Sequence, residues 1–329
     1  MADESFNPPR PMRRSRKAVY VIPSLLTTAN IFCGFYSVME SLRAFSWLGV
    51  VDYLGVGAAH SLDLLVGQTA NLEAIQQATE HFDRAAITIG FAALFDLLDG
   101  RVARLTNTTS EFGIELDSIA DVVSFGLAPA VLAFAWGYGQ ILDLRNVGWA
   151  ASFLFLICGA LRLARFNVQA RQTKPNLPPK NPKVDKKAFV GLPIPFGAVM
   201  IASLVHFSPR PLAYITNIQL LFSRQILPVN AQVLATVFAV LVVCLAFLMV
   251  STLRYSSFKN LGTQKTNPRV LILALALAGL LIWFYSRWIL LIVSTIYVAH
   301  GVFGKLWSLI RVRRSTTPSE LELDRKPQP

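Results

Sequence analysis

Four aspartates close together in an otherwise apolar stretch are the residues with chemistry to do. Asp96 and Asp99 are three positions apart, and Asp117 and Asp121 are four apart. On helices each pair shares one face. Gly100 follows the first pair, and Gly113 lies one turn before Asp117 on the face of Asp117 and Asp121. The spacing predicts two neighbouring helices that turn four carboxylates into one shared cavity. Carboxylate oxygens suit Mg2+, Mn2+ or Ca2+, and no Cys or His cluster is present to favour a softer metal. Two such ions held by shared carboxylates would clamp a phosphate and stabilise the attacking and leaving oxygens of its transfer. Gly100 and Ala103 would let a phosphate or nucleotide approach the backbone closely. The competing reading is a set of ion pairs at helix ends, with Arg101 and Arg104 as partners.

The elements that must hold these groups are membrane helices. The 329 residues are 53% hydrophobic and 15% charged, where a soluble domain carries about 25% charged residues. The apolar residues fall in long runs, which predicts an all-α, polytopic membrane bundle. A net charge of +12 raises nucleic acid as a partner. The basic residues fall mostly in short loops between apolar runs, which argues against it. Cys33, Cys158 and Cys244 occupy separate runs and read as small packing residues. His60, His81, His206 and His300 are scattered, with no partner at ligand or triad spacing, and read as non-catalytic.

Eight spans are expected, at about 20–44, 82–102, 113–136, 147–163, 191–207, 233–253, 270–284 and 288–303, the last two joined tightly at Ser286–Arg287. They make up a membrane domain at 20–304, after a basic N-terminal segment (1–19) and before a basic, then disordered, tail (305–329). The first run lacks a clear cleavage pattern and reads as a retained span. Segment 45–80 carries no Lys or Arg and predicts a long outer loop, with a short surface helix at most. Segment 168–188 is a Lys/Pro-rich polar loop. With eight spans, every one of the 31 Lys and Arg residues except Arg43, Arg84, Arg145, Arg210, Arg224 and Arg287 falls on one side. That bias predicts a multi-pass protein of the cell (inner) membrane, with both termini and both aspartate pairs at the cytosolic face.

The aspartate stretch also resembles a known signature. D-x2-D-G-x2-A-R-x8-G-x3-D-x3-D, the motif of the CDP-alcohol phosphatidyltransferases, is matched by Asp96, Asp99, Gly100, Ala103, Arg104, Gly113, Asp117 and Asp121 with every gap kept. The resemblance implies transfer of a phosphatidyl group from a CDP-linked lipid to an alcohol, with release of CMP. It implies that Asp96, Asp99, Asp117 and Asp121 hold two divalent metals and that Asp121 is the general base. It associates Gly100, Ala103, Arg104 and Gly113 with the nucleotide, and it implies a homodimer.

Further runs narrow the family. VIPSLLTTANIFCGF (21–35), SIADVVSFGLAPA (118–130), CGALRLARFN (158–167), FVGLPIPFGA (189–198) and RYSSFK (254–259) are similar to the membrane-bound phosphatidylserine synthases. That similarity implies CDP-diacylglycerol and L-serine as substrates in a lipid bilayer. Serine brings a carboxylate that needs a cation or several donors. Arg162 and Arg165 are candidate anchors, with Asn167, Ser124 and Asn30 as polar supplements. The bland alternatives are topology signals for the arginines and an interhelical hydrogen bond for Asn30. Pro193 and Pro195 fit a helix start better than chemistry. Competing acceptors are glycerol 3-phosphate, inositol phosphate and choline. An ion-coupled transporter would show internal symmetry, and none is visible.

Overall fold

The structure is a computed structural model that describes residues 18–58, 64–106, 111–172, 189–215, 217–219, 226–228, 230–251, 253–255 and 284–301. Nearly all of these are helical, in an all-α membrane bundle. α1 (Ala18–Ala58) and α2 (Leu64–Thr106) form a long antiparallel pair. The pairing follows from the contacts: Thr27 meets Asp99, Ser37 meets the Ala85 carbonyl, and Glu40 meets His81.

α2 is built on one buried stripe. Ala74, Ala78, Phe82, Ala85, Ile89 and Ala92 recur every three or four residues, and each is at most 2% exposed. Small side chains let the two helix backbones approach, which suits association in a bilayer. Asp96 and Asp99 continue the same stripe. The facing stripe of α1 is partly polar, with Thr27, Asn30, Ser37, Glu40 and Ser41 all buried.

The next rod runs from Glu111 to Tyr138. It begins as α3 (Glu111–Asp121), widens into a π-helical stretch at Val122–Leu127, continues as α4 (Ala128–Ala133) and widens again at Phe134–Tyr138. Pro129 follows the first wide stretch; it has no N–H, and its ring crowds the carbonyl four residues back, which a wider turn relieves. Gly34 of α1 lets this rod come close. A Cβ there would run into Ser124 Oγ and lie 2.7 Å from Ser124 Cα. Ser124 in turn donates a hydrogen bond to the Asn30 carbonyl at 2.9 Å.

α5 (Leu142–Gln172), α6 (Ile194–Phe207) and α7 (Ala231–Val250) complete the core with the helix at 284–301. α6 starts where the Gly191–Pro195 run predicts, with Pro193 as its N-cap. The entry is pinned from the far side of the sequence. β1 (Phe189–Val190) pairs antiparallel with β4 (Arg254–Tyr255), and the Gly191 N–H bonds the Leu253 carbonyl at 2.8 Å. Gly191 has φ +84°, and a Cβ there would collide with the Met249 carbonyl, so only glycine fits. A second small ladder joins β2 (Asn217–Gln219) to β3 (Ile226–Pro228).

Two expectations fail. Segment 45–80 is not mainly loop: α1 continues to Ala58 and α2 begins at Leu64. The helices extend because they still have each other to pack on, with Ala44, Leu48, Ala74 and Ala78 all buried. Nor is there a connection at Ser286–Arg287. Both residues lie inside the helix at 284–301, where no Gly or Pro interrupts it and Ser286 is tied to His206 at 2.8 Å. Residues 256–283, and with them most of the expected seventh span, lie outside the described residues, as do 173–188, 1–17 and 302–329.

Among the described residues three helices, Glu111–Tyr138, Leu142–Gln169 and Ala231–Val250, are long and apolar enough to cross a membrane. The molecule is therefore a polytopic membrane bundle, while eight spans exceed what these helices account for. α2 carries Asp96, Asp99 and Arg101 within its apolar stretch.

Candidate active site

The buried stripe of α2 delivers Asp96 and Asp99, and α3 delivers Asp117 and Asp121 one turn apart. Carboxylate oxygens of Asp96, Asp99 and Asp117 all lie within 4.8 Å of one another. Asp99 is the most enclosed, 4% exposed. Thr27 of α1 donates a hydrogen bond to Asp99 Oδ2 at 3.0 Å, which fixes how that carboxylate is turned. Asp121 stands outside the group of three, but within electrostatic reach of all of them and of Arg162.

The arrangement leaves hydrogen-bonding capacity unused. Among the described residues, Asp117 Oδ1, Asp121 Oδ1, Arg162 Nε and both polar atoms of the Asn30 side chain are buried without a hydrogen-bond partner. Unused buried groups of this kind are rare and costly. Apart from Asn71 Oδ1 on α2, the atoms of this kind belong to α1, α3 and α5 around the aspartates. No Lys or Arg among the described residues comes within 4 Å of an oxygen of the four aspartates. The ion-pair reading finds no partner for the group of three among the described side chains, which do not include that of Arg104. Three converging carboxylates with no counter-charge among the described side chains are a donor set that could hold a hard divalent cation.

The other candidates divide. Arg162 lies part-buried beside Asp121. Arg165, one turn on, is exposed. Asn167 donates to Ser118 Oγ at 2.8 Å and ties α5 to α3, while Ser124 is spent on the Asn30 carbonyl. Asn30 makes no interhelical hydrogen bond with its side chain; its amide is buried and open. Gly100 follows Asp99 on α2, and Gly113 lies in the first turn of α3. Ala103 and Arg104 continue α2, their side chains outside what the structure describes. Arg101 is exposed.

Thr27 is the site residue that sequence reasoning passes over. Its signal is nevertheless present: Thr27, Asn30, Ser37 and Ser41 recur at helical spacing inside an apolar run. Two of the histidines take part in ties elsewhere. His81 Nδ1 lies 2.7 Å from Glu40 Oε2, and His206 Nδ1 lies 2.6 Å from Asp83 Oδ1. Asp83 is about 20 Å along α2 from Asp96 at 1.5 Å per residue.

Comparison with known proteins fixes what kind of site this is. The family model for CDP-alcohol phosphatidyltransferase matches residues 20–225. The chain belongs to this family. All four aspartates of the phosphatidyltransferase signature fall inside the matched stretch, as do the helices from α1 to α6 but for the first two residues of α1. A CDP-diacylglycerol–serine O-phosphatidyltransferase of Helicobacter pylori (strain ATCC 700392 / 26695) is 30% identical over 295 residues, covering 89% of this chain and 94% of that protein. Proteins of the same name from Mycobacterium leprae and Saccharomyces cerevisiae are 43% identical over 137 residues and 35% identical over 195. The first covers 41% of this chain and 42% of its own length. The second covers 59% and 55%.

Proposed function

We propose that this protein transfers the phosphatidyl group of CDP-diacylglycerol to L-serine, giving phosphatidylserine and CMP. The observation that carries the reading is the meeting of three signature aspartates within 4.8 Å beside Asp121 and a part-buried Arg162. The first set suits a pyrophosphate with divalent cations, and the second suits an acceptor that has both a hydroxyl and a carboxylate. Similarity along nearly the whole chain to a serine transferase favours serine over other alcohols.

Asp96, Asp99 and Asp117 would hold the metal, with Asp121 as a further ligand if two ions bind. Bound there, divalent ions neutralise the pyrophosphate and lower the charge on the leaving CMP oxygen. Asp121 takes the proton from the serine hydroxyl. The serine oxygen then bonds to the lipid-side phosphorus in line with the breaking P–O bond, and CMP departs. Asp121 suits the base because it stands apart from the three gathered ligands, on the side of Arg162. Arg162 holds the serine carboxylate; Nε together with one terminal nitrogen is the edge with which a guanidinium grips a carboxylate in two parallel bonds, and its Nε is open. Asn30 adds an amide that can both donate and accept. Gly100, Ala103, Arg104 and Gly113 are the signature positions this reading assigns to the nucleotide.

On this reading the site lies at the cytosolic face of an eight-span bundle in the inner membrane, where nucleotide and serine are present. The antiparallel seam between α6 and the helix at 284–301 returns the chain to the aspartate end of the bundle; the orientation itself rests on the charge bias. The test is an acceptor panel on purified, reconstituted protein with CDP-diacylglycerol and Mg2+ or Mn2+. CMP release with serine, and not with glycerol 3-phosphate, inositol phosphate or choline, is expected. Release with one of those and none with serine overturns the acceptor assignment.

A further inference from the structure

Asn167 stands in a part of α5 that packing does little to hold. Further up the helix Ala151, Ser152, Phe155, Cys158 and Gly159 are buried. After Gly159 none of its described residues is buried, and Arg162 lies in this thinly packed end. The same end meets α3 through side chains. Asn167 Nδ2 donates to Ser118 Oγ at 2.8 Å, and Ser118 Oγ donates to the Ile114 carbonyl at 2.9 Å. The single hydroxyl proton of Ser118 is thus spent on its own helix. The bridge must therefore be made by the amide N–H, which fixes both of its ends.

The bridge closes a zipper between α5 and the rod that begins with α3. At the far end the Tyr138 hydroxyl lies 2.6 Å from Ser152 Oγ. In the middle a Cβ on Gly126 would lie 2.9 Å from Leu156 Cδ1. At the aspartate end Ser118 meets Asn167. Positions rise on α5 as they fall on the rod, so the two run antiparallel. Asp121 and Arg162 fall between the Gly126–Leu156 contact and the Ser118–Asn167 bond. Counted from that bond, Asp121 is three residues along its helix and Arg162 five along its own. At 1.5 Å per residue the two stand within about 3 Å of the same level. Asp121 Oδ1 and Arg162 Nε are both buried there without a hydrogen-bond partner.

We infer that the Asn167–Ser118 bond is a latch on the acceptor side of the site: it holds the thinly packed end of α5 against α3 and so keeps Arg162 level with Asp121. Asn167 is on this account a positioning residue and does not touch the acceptor. The inference rests on the proposed acceptor reading and deepens it. The spacing between the proposed base and the proposed carboxylate anchor is set by a bond that involves neither. Neither Asn167 nor Ser118 belongs to the shared signature. The three gathered aspartates come from α2 and α3, so a metal held by them does not depend on where the end of α5 lies.

The test uses the full chain, purified and reconstituted with CDP-diacylglycerol and Mn2+. Asn167→Ala and Ser118→Ala each break the latch from one side. Small misplacements of a positioning group have large kinetic effects, and each variant is expected to lower kcat/KM for serine about tenfold or more. The double variant should fall little further than either single one. Ser118→Thr keeps a hydroxyl and should recover most of the loss. The KM for CDP-diacylglycerol, the affinity for Mn2+ and the melting temperature should be unchanged, because no buried packing is removed. Tyr138→Phe is the matched control. It breaks a buried bond in the same zipper, and it should lower the melting temperature while leaving kcat/KM for serine alone. An unchanged kcat/KM in either latch variant overturns the inference; if only Ser118→Ala is silent, the amide touches the acceptor itself. Full additivity in the double variant, or an equal kinetic loss in Tyr138→Phe, overturns it as well. If the wild type works only with another acceptor, the serine reading fails by itself, and the latch stands or falls on the same ratios measured with that acceptor.

Discussion

Replacing Thr27 by valine removes one hydroxyl while nearly preserving shape. The hydroxyl donates to Asp99 Oδ2 at 3.0 Å, and the two residues are 5% and 4% exposed, so no bulk water can stand in for it. A hydrogen bond to a charged group contributes about 1.5–3 kcal/mol, and groups that orient a metal's ligands typically change its affinity about 10–100-fold when lost. Thr27→Val is therefore expected to weaken binding of Mn2+ by about that factor. The assay needs no turnover: titrate purified protein with Mn2+ and follow the free ion by electron paramagnetic resonance. The half-saturating Mn2+ for CMP release should move in parallel. Thr27→Ser restores the hydroxyl and should recover most of the affinity. A folded Thr27→Val protein that binds Mn2+ as the wild type does would refute the claim that α1 sets the orientation of Asp99.

Asp121→Asn should abolish turnover while the protein stays folded and still binds Mn2+ through the group of three; retained turnover removes Asp121 as the base. Gly34→Ala forces apart α1 and the rod that carries Asp117 and Asp121, at a cost of about 1–3 kcal/mol for overpacking, and should lower the melting temperature in detergent. Gly90→Ala is the matched control, because nothing lies within 4 Å of a Cβ there; equal losses at both positions would contradict the packing explanation. Direct attack by the acceptor predicts no exchange of labelled CMP into CDP-diacylglycerol when acceptor is absent, and exchange under those conditions would point to a covalent intermediate.

The chemistry is more legible in the sequence than the architecture around it. Spacing alone puts Asp96 with Asp99 and Asp117 with Asp121, because helical periodicity is a local property. That Asp96, Asp99 and Asp117 gather while Asp121 stands toward Arg162 depends on how α2, α3 and α5 cross, which no local pattern encodes. The start of α6 is readable from Pro193 and Pro195. The glycine before them owes its place to a carbonyl beside it from α7, that of Met249, and so to a contact far away in sequence. Segment 45–80 misleads because its polarity and its lack of basic residues suggest a loop. The relevant signal is the run Ala74, Ala78, Phe82, Ala85, Ile89, Ala92, whose spacing continues unbroken into Asp96 and Asp99. At Ser286–Arg287 a charged residue in an apolar run reads as a break, although neither residue interrupts a helix and Ser286 has a buried partner in His206. Thr27 escapes notice for a related reason: it is ordinary in its own helix and becomes part of the site only through a neighbour on another one.

Whether these aspartates join a phosphatidyl group to serine is decided by following radiolabelled serine, supplied to the reconstituted protein with CDP-diacylglycerol and Mn2+. Label should appear in chloroform-soluble phosphatidylserine, with one CMP released per serine incorporated. No label should enter lipid when Mn2+ is chelated or when Asp121→Asn replaces the wild type. CMP released without label in lipid, or label incorporated undiminished by Asp121→Asn, would contradict the proposed reaction.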